Sequence, residues 1–286
     1  AQEIQNFANW YSFYRTRNVA TITAASRAFQ DITPEMRVAW QALNTCTTFG
    51  TTCQGWDGVN RENHIRRYDA AHKAGLYKWL FKLPANSGTP LRQALGKAGE
   101  YFKVETGLTS PYAFDPQVND DPAKRYSCRA NFSMVMTDGI WNGSNAAGTL
   151  KSDSVATALP NIFDTSCPVG TPNCVVSPGY TPVAPFKDTN SNSLADVAFH
   201  YWATDLNGSL KNDVARYPST LDNVDAATLT AAYWNPKNNP AKWQHMVTYT
   251  VGLGLTRVLD TTTPKLKWDG DPHSSNTVTS SYKALE

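Results

Sequence analysis

The chain reads as an α/β protein with a doubly wound, mostly parallel sheet carrying long loop insertions. Three observations support this reading. Helical and strand-like patterns alternate in the order helix, strand, helix, helix, strand, helix, strand. Such alternation favours a parallel sheet with helices on both faces. Residues 131–137 (NFSMVMT) form a largely apolar run that stops at Asp138-Gly139, a carboxylate followed by a turn residue. Residues 244–253 (QHMVTYTVGL) are rich in β-branched and aromatic side chains and leave through a glycine, as a second strand would.

The elements follow in order. Residues 6–29 predict a helix, because Phe7, Trp10, Tyr11 and Tyr14 repeat at i, i+3, i+4, i+7 as a buried face does, with Val19, Ile22 and Phe29 continuing the stripe. Pro34 breaks it, and Arg37–Leu43 (RVAWQAL) reads as a strand. A helix over 69–82 carries Ala71, Leu76, Trp79, Leu80 and, just beyond it, Leu83 on its apolar positions. Thr89-Pro90 predicts the next helix start, with threonine as N-cap and proline as first helical residue, and this helix runs to about Phe102. Ser193-Leu194-Ala195-Asp196 resembles a capping box ahead of an aromatic helix through Leu206. We expect one domain over 1–286, with insertions at about 45–68, 104–128, 143–192 and 207–242. The insertion around 143–190, rich in Gly, Pro, Ser, Thr and Asn, is the best candidate for setting specificity.

Composition narrows the function classes. The chain has 286 residues, is 41% hydrophobic and has a formal net charge of +2, so it can build a core and carries no field that argues for nucleic acid. No apolar run approaches the roughly 18 residues that cross a bilayer. Cys46 and Cys53 bracket TTFGTT, and Cys167 and Cys174 bracket PVGTPN. Two close pairs in polar loops predict two local disulfides and an oxidising compartment. A zinc site would need CxxC-like spacing and nearby histidines, which neither loop has. Cys128 is left over.

The chemistry concentrates at two places. Thr89, in Asn86–Leu95 (NSGTPLRQAL), offers a hydroxyl, and Asp138 offers a carboxylate at a strand end. Ligands of open α/β sheets bind at the carboxyl ends of strands. A hydroxyl and a carboxylate there are hard oxygen ligands suited to Mg²⁺ or Mn²⁺, with Ser87 able to approach through water. Residues 188–196 place oxygen side chains at positions 1, 3, 5 and 9 of a calcium-like loop but lack its glycine and its closing glutamate. A polar loop leading into a capped helix is the simpler reading. The five histidines, at 64, 72, 200, 245 and 273, form no HExxH, and no GxSxG or GxxxxGK[ST] occurs. Arg61, Arg66 and Arg67 make a small basic patch near Lys73. Nothing pairs a nucleophile with a base, so the chain reads as a non-enzyme. The enzymatic alternative, a metal-dependent hydrolase, would require a second acid or histidine cluster.

Five segments in this order resemble the von Willebrand factor type A domain of PilY/PilC-type tip adhesins of bacterial type IV pili. They are Asn6–Arg17 (NFANWYSFYRTR), Thr89–Leu95 (TPLRQAL), Asn131–Asn142 (NFSMVMTDGIWN), Leu194–Leu206 (LADVAFHYWATDL) and Trp243–Leu253 (WQHMVTYTVGL). The resemblance implies a Rossmann-like doubly wound domain of a secreted protein, exported through the periplasm to the pilus tip or outer cell surface. It implies roles in adhesion, pilus assembly and surface sensing. The partners it implies are minor pilins or other tip components and a host or abiotic surface. On this likeness Thr89 and Asp138 match the second and third parts of the family's metal site. The first part, a DxSxS loop after the first strand, has no match in the sequence. The domain is therefore expected to lack its first strand here, and a metal-free structural assembly module is the alternative within the same class.

Overall fold

The computed structural model describes residues 2–49, 53–54, 60–84, 87–115, 121, 123–137, 141–160, 179–180, 190–225, 228–229 and 238–252. Two helices open the chain, α1 (Gln2–Tyr14) and α2 (Arg17–Ala28). They are separate because Thr16 caps α2, its hydroxyl accepting from the Val19 amide at 3.2 Å. The single helix expected over 6–29 is thus broken at Arg15-Thr16. The aromatic stripe expected in the core is also outside it. α1 buries none of its residues, and Phe7 and Trp10 are 62% and 51% exposed.

Short strands follow: β1 (Arg37–Val38), β2 (Cys53–Gln54), β3 (Asn60–Arg61) and β4 (Arg66–Arg67). β1 pairs antiparallel with β4, and β2 with β3. Among the described residues, the strand expected over 37–43 is therefore paired in a ladder only at its first two residues. Beyond them Asn63 substitutes for a strand, its carbonyl accepting from the Trp40 amide and its Nδ2 donating to the Trp40 carbonyl. α3 (Ala70–Leu80) starts where Asp69 Oδ1 accepts from the His72 amide at 2.7 Å. Val38, Trp40, Tyr68, Leu76, Trp79 and Leu80 form a core, with Ile22, Ala25 and Phe29 packed on it.

α4 (Leu91–Tyr101), β5 (Asn131–Thr137), β6 (Thr157–Ala158), β7 (Gly179–Tyr180), α5 (Leu194–Trp202), a 3₁₀ turn (Ser219–Asn223) and β8 (Met246–Gly252) complete the order. β6 and β7 pair antiparallel. β5 and β8 pair in parallel over seven residues, from Asn131 opposite Met246 to Thr137 opposite Gly252. Parallel neighbours need a long crossover, and α5 lies within it. The capping box of α5 forms as the sequence predicts: the Ser193 hydroxyl accepts from the Asp196 amide, and Asp196 Oδ2 accepts from the Ser193 amide.

Val135 and Met246 pack with Leu91, Leu95 and Ala98 of α4 and Val197 and Tyr201 of α5 into the largest core. The two helices approach closely because Gly99 has no side chain: a Cβ there would lie 2.3 Å from the Tyr201 ring. The opposite side of the strand pair is open among the described residues. Met134 is 62% exposed and Tyr249 54%, with Phe132 stacked on Tyr249 at 6.2 Å between ring centroids. A third core gathers Leu159, Ala203, Leu221, Leu229, Ala241 and Trp243.

Candidate functional site

Thr89 sits between α3 and α4, and its loop is held by side chains rather than by a ladder. Its amide donates to Asn142 Oδ1 at 2.9 Å, and its carbonyl accepts from the Asn142 amide at 3.0 Å. Asn44 Nδ2 donates to the Gly88 carbonyl at 3.1 Å. Gly88 is required by this closeness, since a Cβ would stand 2.7 Å from Asn142 Oδ1. Arg92, on the first turn of α4, adds a second clamp. Its guanidinium donates to the Asn192 carbonyl at 3.1 Å and to the Gly143 carbonyl at 3.0 Å. Three segments remote in sequence, 87–90, 142–143 and 192, meet here.

The N-cap of α4 is Pro90, with no side-chain cap bond, and not Thr89 as the sequence predicts. The backbone does that work instead, the Leu91 amide donating to the Thr89 carbonyl at 2.9 Å. The Thr89 hydroxyl consequently makes no hydrogen bond among the described residues, so it is not tied up in capping. Asp138 lies outside the described residues, one position beyond β5. Among the described residues no cluster of three His, Cys, Asp or Glu side chains could hold a metal ion.

The other expectations resolve locally. Asp196, in the calcium-like loop, is fully buried and has both oxygens engaged, Oδ1 by the Asp153 amide and Oδ2 by Ser193. It is a structural cap. The basic patch disperses: Arg66 pairs with Glu62 at 2.5 Å, Arg67 with Asp115 at 3.6 Å, and Lys73 donates to the Gln30 carbonyl, while the Arg61 side chain lies outside the described residues. His245 and His200 are structural. Burial pushes His245 down to about 4. Its Nδ1 donates to the Trp243 carbonyl and its Nε2 accepts from Asn239, while His200 Nδ1 accepts from the Lys151 amide. Cys46 is disulfide-bonded and Cys128 is an exposed free thiol. The Cys53 side chain, Cys167 and Cys174 lie outside the described residues.

A cavity of about 440 Å³ opens beside this loop, with Ser87, Gly88 and Thr89 on its lining. Sequence reasoning missed both this cavity and the roles of Asn142 and Arg92. Asn142 stood in the motif read for its aspartate, but its pairing with Thr89 is a contact across 53 residues.

With this geometry in place, comparison with known proteins is informative. Over 276 residues, 96% of its length, the chain is 41% identical to the type IV pilus biogenesis factor PilY1 of Pseudomonas aeruginosa strain PAK. It is a homologue of one region of PilY1. The PilY1 proteins of strains PAO1 and UCBPP-PA14 are 42% and 39% identical over 275 and 255 residues. The chain spans only about a fifth of the length of these PilY1 relatives, 21% for the first two and 19% for the third. No family model matches the chain. No solved structure matches it either. No helix among the described residues is long and apolar enough to cross a membrane.

Proposed function

We propose that this chain is an adhesion and assembly module of a type IV pilus, working at the pilus tip on a von Willebrand factor type A-like scaffold. Homology to a pilus biogenesis factor over nearly the whole chain supports the pilus setting. One structural observation supports a binding site here: the Thr89 hydroxyl makes no hydrogen bond among the described residues, in a loop held by Asn142 and Arg92. Thr89 and Asp138 would hold Mg²⁺ or Mn²⁺, and the cation would supply a positive centre for a ligand carboxylate. Thr89 positions an oxygen, Asn142 and Arg92 fix the loop that carries it, and the neighbouring insertions select the partner. Minor pilins or other tip components, and a host or abiotic surface, are the partners this reading names. The disulfides proposed for Cys46–Cys53 and Cys167–Cys174 fit export through the periplasm.

Calorimetric titration of the full-length polypeptide with Mn²⁺ and Mg²⁺ tests this. We expect saturable binding that weakens at least about tenfold in Thr89→Ala or Asp138→Ala, as loss of a direct hard ligand should. Equal affinity in all three proteins would remove the cation site. The metal-free assembly reading would then stand if both variants still restored surface piliation in a strain lacking the gene.

A further inference from the structure

The tripeptide Asn-Gly-Ser occurs twice in the sequence, at 142–144 and at 207–209. An asparagine followed by glycine can lose its side-chain amide without an enzyme, by attack of the glycine nitrogen on the asparagine Cγ. Glycine leaves this approach unhindered because it has no Cβ. The two tripeptides share one intrinsic chemistry, so a difference between them comes from the fold.

The fold treats them oppositely. Asn142 and Gly143 are both exposed. Asn142 Oδ1 accepts from the Thr89 amide at 2.9 Å. The oxygen that turns anionic during attack on Cγ therefore already faces an N–H donor. Arg92 Nη2 donates to the Gly143 carbonyl at 3.0 Å. Its positive charge stands close to the nitrogen that must shed a proton, and favours the anionic form. The Gly143 amide donates no hydrogen bond among the described residues, so attack breaks none. Asn207, by contrast, is 1% exposed. Its amide donates to Asp205 Oδ1 at 3.1 Å, its carbonyl accepts from the Leu210 amide at 3.0 Å, and its Oδ1 accepts from the Ser209 hydroxyl at 2.6 Å. The charge beside Gly208 is a carboxylate: a Cβ there would lie 3.7 Å from Asp205 Oδ2. A negative charge opposes loss of the glycine proton.

We propose that Asn142 is a site of self-modification, where deamidation leaves a carboxylate beside Thr89. The Gly143 nitrogen loses its proton and bonds to Asn142 Cγ. The Cγ–Nδ2 bond breaks, and Nδ2 leaves as ammonia with that proton. Water then opens the cyclic imide. Breaking the bond between Cγ and the Gly143 nitrogen leaves aspartate and restores the main chain, whereas breaking the main-chain bond leaves isoaspartate. Either product carries a carboxylate where Asn142 was neutral. In the aspartate product one carboxylate oxygen keeps the bond from the Thr89 amide. The group then adds a hard oxygen ligand to the loop that carries the Thr89 hydroxyl. Cation affinity therefore rises as the protein ages. This consequence rests on the cation site proposed above, and the loss of the amide does not.

The test holds the full-length polypeptide folded at neutral pH, draws samples over days, and follows the amide-to-acid mass change at each site by peptide mapping. A parallel incubation in urea supplies the unfolded chain. We expect Asn142 to convert at least about tenfold faster than Asn207 in the folded protein, because a buried site reacts only from opened states. In urea the two rates should converge. Equal rates in the folded protein, or a ratio no larger than that in urea, would overturn the proposal. Calorimetric titration with Mn²⁺ then compares fresh protein, aged protein and Asn142→Asp. We expect binding at least about tenfold tighter in the variant than in fresh protein, as an added carboxylate ligand gives, with aged protein between them. Conversion of Asn142 with no cation binding in any of the three would sink the cation reading alone. Tighter binding by Asn142→Asp, with no conversion of the parent, would sink the modification alone.

Discussion

Asn142 holds the Thr89 loop through a side-chain acceptor that no backbone group replaces. Asn142→Ala leaves the Thr89 amide without this partner and should lower stability by about 1 kcal/mol, seen as a lower urea midpoint. Asn142→Asp keeps an oxygen in place and should stay near the parent value. A loss as large in the aspartate variant would show that the acceptor is not what matters. Thr89 was legible as a candidate because its residue type and neighbours carry the chemistry. Its expected capping role failed because Pro90, at φ −80° and ψ 63°, takes the cap position itself. The aromatic residues of α1 show a different limit. Spacing at i, i+3, i+4, i+7 says that one helix face is apolar, but not that anything covers it.

Among the elements, α4 and α5 depend most on a single missing side chain. Gly99→Ala would gain helix propensity worth up to about 1 kcal/mol. Against that, the new Cβ meets the Tyr201 ring, which is buried and anchored by its hydroxyl to Glu100 at 2.9 Å. Overpacking of this kind costs about 1–3 kcal/mol, so the clash wins and the urea midpoint should fall. A rise would mean that the two helices can separate freely. The capping box of α5 was readable in full, since Ser193 and Asp196 are neighbours and their bonds are local. The strand over 37–43 was only half readable. Apolar content marks an extended segment, but whether it finds a ladder depends on what lies beside it.

At the scale of the whole molecule, buried histidines set a pH window. Burial pushes His72 and His245 down to about 4. Each is held neutral, His72 donating from Nε2 to the Val38 carbonyl at 2.7 Å. Their folded values lie below the unfolded value of about 6.5, so between these pH values the unfolded chain binds more protons. Their contribution to stability is complete above about pH 6.5 and is lost as pH falls toward 4. Thermal melts from pH 7 to 4 should show a falling Tm, and His245→Gln should flatten the slope. That 131–137 and 244–253 hold strands was legible because each is a short run rich in apolar and β-branched side chains, whereas their pairing with each other was not. Which faces stay open was not, because that depends on neighbours far away in the chain. One open face has a practical use. Trp10 stands half in water at the start of the molecule, while Trp40, Trp79 and Trp243 are buried. Among the described tryptophans it is the one most open to a soluble quencher such as iodide, so its quenching becomes a gauge of anything that settles onto α1.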